Sequence, residues 1–98
     1  MIKLDDVFVI AIGLADQYPG AAAEPRRTRR GRACRLFVSW GWGHFHYKHL
    51  ASVLGIQPDS IYHYRNGSLD PDETQLLERL RETISPNAVS WNHKGAES

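Results

Sequence analysis

Five arginines, Arg26, Arg27, Arg29, Arg30 and Arg32, fall within one short run of the 98 residues. Guanidinium groups stay charged at physiological pH and match phosphate oxygens in geometry, so such a run suits an anionic partner. The surrounding charge points the same way. Residues 26–66 add Arg35, Lys48 and Arg65 to these five, against Asp59 alone. Before the run, Lys3 faces Asp5, Asp6, Asp16 and Glu24, and the chain after residue 66 is acidic again. Formal net charge is only +1, so the total conceals a basic middle between acidic ends. A loop made soluble by arginine would show the same pattern, and charge alone does not separate the two.

Other chemistry is weaker. His44, His46 and His49 invite a metal reading, with His46 and His49 able to share a helical face. A structural zinc site wants four ligands, and Cys34 is not at a familiar distance from these histidines. No metal and no cofactor is expected. Cys34 falls among Ala33 and Leu36 with helical spacing, where a small buried thiol is the ordinary role. Paired carboxylates, a phosphate-cradling loop and a nucleophile motif are all missing from the sequence, so neither an enzyme nor a small-molecule substrate is expected. A single cysteine rules out an internal disulfide and fits a reducing cytoplasm. No apolar run approaches the ~20 residues needed to span a bilayer. Asp5 and Asp6 stand where a signal peptide would carry positive charge. The expectation is a soluble cytoplasmic chain with no membrane partner.

Elements that would position these residues can be read from periodicity. Asp5 can cap a first helix carrying Val7, Ile10, Ala11 and Leu14, which Tyr18, Pro19 and Gly20 stop. Residues 21–28 then read as a loop, and the basic run 26–32 as its end. Ala33, Leu36, Phe37 and Trp40 recur at helical spacing and give a second helix, broken by Gly41 and Gly43. The Trp40-Gly41-Trp42 rings are read as core rather than as a stacking surface. Tyr47, Leu50, Ala51 and Leu54 mark a third helix, closed by Gly55. Pro58 starts a short fourth helix over 58–66, which Gly67 ends. Asp70, Pro71 and Glu73 form a helix start, and Leu76, Leu77, Leu80 and Ile84 give the fifth helix one apolar face. No segment alternates as a strand would. The fold class expected is all-α: one five-helix domain over 1–84 with a central helix-turn-helix at 47–66, and a tail over 85–98 pinned by Val89 and Trp91.

The stretch Leu50-Ala-Ser-Val-Leu-Gly-Ile-Gln-Pro-Asp-Ser-Ile-Tyr-His-Tyr64 carries the most information. Two helices joined by a tight turn need a small residue where they touch and a positive φ in the turn. Ala51 and Gly55 meet those needs. Leu50, Leu54, Ile56, Ile61 and Tyr64 complete the scaffold. Leu50-Ala51, Leu54-Gly55-Ile56, Ser60-Ile61, Tyr64, Gly67 and Pro71 resemble, in order and spacing, the helix-turn-helix family of Cro and the phage repressors over residues ~45–80. Arg65 departs from that pattern, where the family has an acid, and so does the Phe45-His46-Tyr47 opening. A weaker likeness joins the capped first helix, the arginine-rich segment, the Ala33-x-x-Leu36-Phe37 helix and Ser60-Ile61-Tyr62-His63 to the DNA-binding domain of the replication initiator DnaA. The Arg-Asp-His hallmark of that family is absent.

Both resemblances imply double-stranded DNA as the partner. In such proteins the second motif helix lies in the major groove with its N-terminal half on base edges. Gln57, Asp59, Ser60, Tyr62 and His63 are then the candidates for base contact. Asp59 equally suits a structural role, accepting from free backbone N–H groups at the helix start. Lys48, Arg65 and Asn66 are candidates for backbone contact, and Arg26, Arg27, Arg29, Arg30 and Arg32 for a phosphate strand or an adjacent minor groove. The resulting expectation is a transcription regulator of phage or mobile-element type. One motif offers few base contacts, so a homodimer or a partner in the transcription machinery is expected with it. The alternatives are a replication-initiator-like DNA binder and a small protein that uses this scaffold to bind or inhibit another protein.

Overall fold

In the computed structural model, residues 2–89 are described. Five α-helices follow in order: α1 (Leu4–Ala15), α2 (Arg26–Gly41), α3 (Tyr47–Leu54), α4 (Ile61–Arg65) and α5 (Pro71–Thr83). Short 3₁₀ turns lie at Ala21–Ala23, Pro58–Ser60 and Pro86–Ala88. The fold is all-α, and among the described residues no helix is long and apolar enough to cross a membrane.

Helix α2 is the axis on which the others pack, because its apolar residues face several sides. Phe37 and Trp40 are fully buried. Phe8 of α1 meets Phe37 edge-on at 5.5 Å, and Phe37, Trp40 and Phe45 continue as stacked rings. A buried indole N–H needs an acceptor. Trp40 donates its own to the Ile84 carbonyl at 2.8 Å, which ties the end of α5 to the core. Beyond that helix Ile84 and Val89 are both buried. Trp91, the other residue expected to pin the tail, lies outside the described residues.

Two helix starts differ from the sequence expectation. The cap of α1 is Lys3, not Asp5, and the Asp6 carboxylate accepts the Lys3 backbone N–H at 3.2 Å. Asp5 and Asp6 sit in the first turn, where their charge complements the helix dipole. The larger correction concerns residues 26–32, expected as a basic loop. They are the first two turns of α2, entered from Pro25 in extended conformation. Arginine is a good helix former, and the charge that suggested a loop is distributed around the helix instead of being left in one unfolded run. Arg26, Arg27 and Arg30 are exposed while Arg32 is buried.

The end of α2 is also finer than expected. Gly41 is the last helical residue, not a breaker. A Cβ there would come within 2.8 Å of Leu50 Cδ2, so glycine permits the close approach of α2 to α3. Gly43, at φ +87°, makes the turn that follows.

Candidate nucleic-acid interface

Residues 47–65 form helix, turn and helix. His46 caps α3, its Nδ1 accepting the Lys48 backbone N–H at 3.2 Å. At the other end Gly55 is left-handed, with φ +69° and ψ +32°. Gly55 N–H bonds to Ser52 O at 3.2 Å and Ile56 N–H to Ala51 O at 3.1 Å, the pair of bonds that closes a Schellman end. Leu50, Ala51, Leu54 and Ile61 are buried, and Ile56 and Tyr64 pack partly buried against the same core. The second helix begins as the 3₁₀ turn Pro58–Ser60, and only Ile61–Arg65 are α-helical. The expected span of 58–66 is thus right in place but tighter in its first turn. Proline lacks an N–H, and Ser60 instead bonds back to Gln57 O at 2.9 Å.

Of the candidate base-contacting residues, Gln57, Asp59, Tyr62 and His63 are exposed, and Ser60 is half-buried. Asp59 caps nothing visible: the 3₁₀ turn's cap position is Gln57, which makes no side-chain cap bond. Of the candidate backbone contacts, Lys48, Arg65 and Asn66 are exposed.

The arginines divide sharply. Arg30 reaches across to the helix-turn-helix, donating to the Leu54 carbonyl at 3.4 Å, with its guanidinium 5.4 Å from the Phe8 ring centre. The arginine-rich start of α2 therefore abuts the turn that precedes α4. Arg26, Arg29 and Arg30 line a cleft with Ile12 and Asp16, and the Arg29 Nε atom is buried there with no hydrogen-bond partner among the described residues. Arg26 and Arg27 project into solvent.

Arg32 does not belong to this face. Its guanidinium grips the Glu24 carboxylate at 2.5 and 2.8 Å, places Nε 3.4 Å from Glu73, and lies 3.6 Å from the Tyr18 ring centre. Its side chain is 5% exposed. Two buried or half-buried acids and an aromatic face compete for it, so no phosphate can reach it without dismantling the fold. Arg35 joins the same network through Glu73 at 2.5 Å. Tyr18 donates its hydroxyl to Asp70 at 2.5 Å, while Asp70 and Glu73 form the reciprocal cap of α5. The Tyr18 hydroxyl, with the Glu73 backbone N–H, holds the Asp70 carboxyl below its ordinary range, and the Arg32 guanidinium does the same for Glu24. Glu24 and Tyr18 are the partners that sequence reading missed. Glu24 lies eight residues before Arg32 and Tyr18 lies 52 before Asp70, and no helical or strand spacing marks either pair.

Cys34 is buried against Tyr64, and burial pushes its thiol pKa up, away from a reactive thiolate. The His46 and His49 rings stand 5.9 Å apart. Among the described residues no cluster of three or more His, Cys, Asp or Glu side chains is placed to hold a metal.

Trp40 and Trp42 take different places relative to the core. Trp40 is core, but Trp42 is only partly buried. It meets Tyr62 of α4 edge-on at 5.7 Å, Tyr62 lies 5.7 Å from Tyr47, and the Arg65 guanidinium sits 5.1 Å from the Trp42 ring centre.

Comparison of the chain with family models, with curated proteins and with solved structures finds no match.

Proposed function

We propose that the protein binds double-stranded DNA in a sequence-dependent way and acts as a transcription regulator, in a reducing cytoplasm that suits its single cysteine. The observation that carries this reading is the contact of Arg30 with the Leu54 carbonyl, which sets the arginine-rich end of α2 beside the helix-turn-helix. One face then combines exposed polar side chains on a short protruding helix with cations suited to phosphates. The resemblance of residues ~45–80 to the Cro and phage-repressor motif supports the same partner.

Roles divide by chemistry. Gln57 can bond adenine through two hydrogen bonds, and His63 and Tyr62 present ring edges to the groove. Asp59 suits a cytosine amino group. Lys48, Arg65 and Asn66 fix register on the phosphates. Arg26, Arg27, Arg29 and Arg30 follow a phosphate strand. Arg32 is excluded from this set by its ion pairs. Specificity of useful size calls for a second half-site, supplied by a homodimer or a partner protein.

Salt dependence tests the division. Each neutralised phosphate adds about 0.9 to the log–log slope of affinity against salt. Anisotropy titrations of a labelled duplex should therefore show Arg26→Ala/Arg27→Ala shallower than the parent by roughly 2. An unchanged slope removes this end of α2 from the interface.

A further inference from the structure

Trp42, Gly43, Phe45, Tyr47 and Tyr62 line an open concavity of about 290 Å³ beside α4. Ligand pockets usually run from about 300 to 1,000 Å³, so this one is sized for a single flat ring. Its floor is firm, since Phe45 stacks on the buried Trp40 at 5.5 Å. Its walls are angled: the Trp42 and Tyr62 planes meet at 72° and the Tyr47 and Tyr62 planes at 43°. Tyr62, 45% exposed, is the outermost ring.

The charge around it selects the occupant. Arg65 lies over Trp42, and no acidic side chain lines the concavity. A cationic or purely apolar guest gains nothing from that rim. A flat ring joined to a phosphate matches both parts, because bases stack on aromatic faces while cations hold the adjoining backbone. In an intact duplex the base faces are already stacked on their neighbours, so the ring must come from an unpaired nucleotide.

We propose that Trp42, Tyr47 and Tyr62 form a stacking site for one unpaired base, so that the protein binds single-stranded DNA in addition to duplex. The site is distinct from the arginine-rich start of α2 and does not depend on it. It shares Tyr62 and Arg65 with the proposed duplex face, whereas Gln57 and His63 stand outside it, so single-strand binding should survive in Gln57→Ala/His63→Ala even where duplex recognition is lost.

The test uses the full chain with a 12-nucleotide single strand of thymidine, a matching strand of deoxyadenosine, and a blunt random-sequence duplex. Thymidine bases stack poorly on one another and are the cheapest to capture. The thymidine strand should quench tryptophan emission, and Trp42→Phe should abolish the quenching. Tyr62→Ala should weaken binding of that strand about 5- to 150-fold, the range for loss of one base–aromatic stack. Arg65→Ala should lower the salt slope by roughly 0.7, the single-strand value for one phosphate. Arg26→Ala/Arg27→Ala should leave the quenching intact. The deoxyadenosine strand should bind more weakly. No quenching by either strand, or thymidine affinity unchanged in Tyr62→Ala with native far-ultraviolet circular dichroism, overturns the proposal. So does self-association that Tyr62→Ala abolishes, since the concavity would then hold a second copy.

Discussion

Arg27 and Arg32 share one helix and one chemistry, yet their surroundings give them opposite work. Arg27 faces water, where a lone cation has little to do for stability. Arg32 sits between Glu24 and Glu73 and under Tyr18, and removing it would strand Glu24 and leave Glu73 to Arg35. Breaking a buried ion pair from one side costs about 3–5 kcal/mol. Arg32→Ala should therefore lose about 3 kcal/mol in urea denaturation, whereas Arg27→Ala should stay within about 0.5 kcal/mol of the parent, as exposed substitutions do. The same network predicts a pH response. Glu24 and Asp70 both have folded pKa values below their ordinary ones. Their contribution is complete above the ordinary carboxylate range and is lost as pH falls through it and past the depressed values. Melting temperature should fall with acid, and Glu24→Gln should start lower at neutral pH and fall less steeply. A parallel pH profile in that variant would remove Glu24 from the account.

At the scale of elements, the turn between α3 and α4 rests on a backbone conformation that side chains resist. Gly55 has φ +69°, and nothing lies near where its Cβ would stand, so the penalty for alanine is conformational and not steric. Gly55→Ala should cost about 1–2 kcal/mol. The His46 cap makes a second test: His46→Ala should cost about 1 kcal/mol, and His46→Asp should restore it. Thermal melts of the three variants measure both. These are also the elements most legible in the sequence. Leu50, Ala51, Gly55 and Ile56 act over a handful of residues, so their spacing carries the geometry directly. The start of α2 was not legible, because charge density alone reads as loop, while the ion pairs that anchor Arg32 to Glu24 and Glu73 form only in the fold. The partners of Trp42 are hidden in the sequence for a related reason. Its neighbours Tyr62 and Arg65 come from α4, and no local pattern announces an aromatic ring shared between two elements.

For the whole molecule, α2 does two things at once. Its second half, through Phe37 and Trp40, gathers α1, α5 and the turn before α3 into one core. Its first half presents arginines next to the helix-turn-helix. The core and the proposed interface therefore share one helix. Selection of bound duplexes from a random pool at physiological salt puts this arrangement to its most direct trial. The predicted result is an enriched sequence, two-fold symmetric if the protein acts as a dimer, whose enrichment disappears in Gln57→Ala/His63→Ala while Arg26→Ala/Arg27→Ala weakens all duplexes alike. A pool that emerges unenriched, from protein that is folded and monodisperse, would contradict the reading of this face as a reader of DNA sequence.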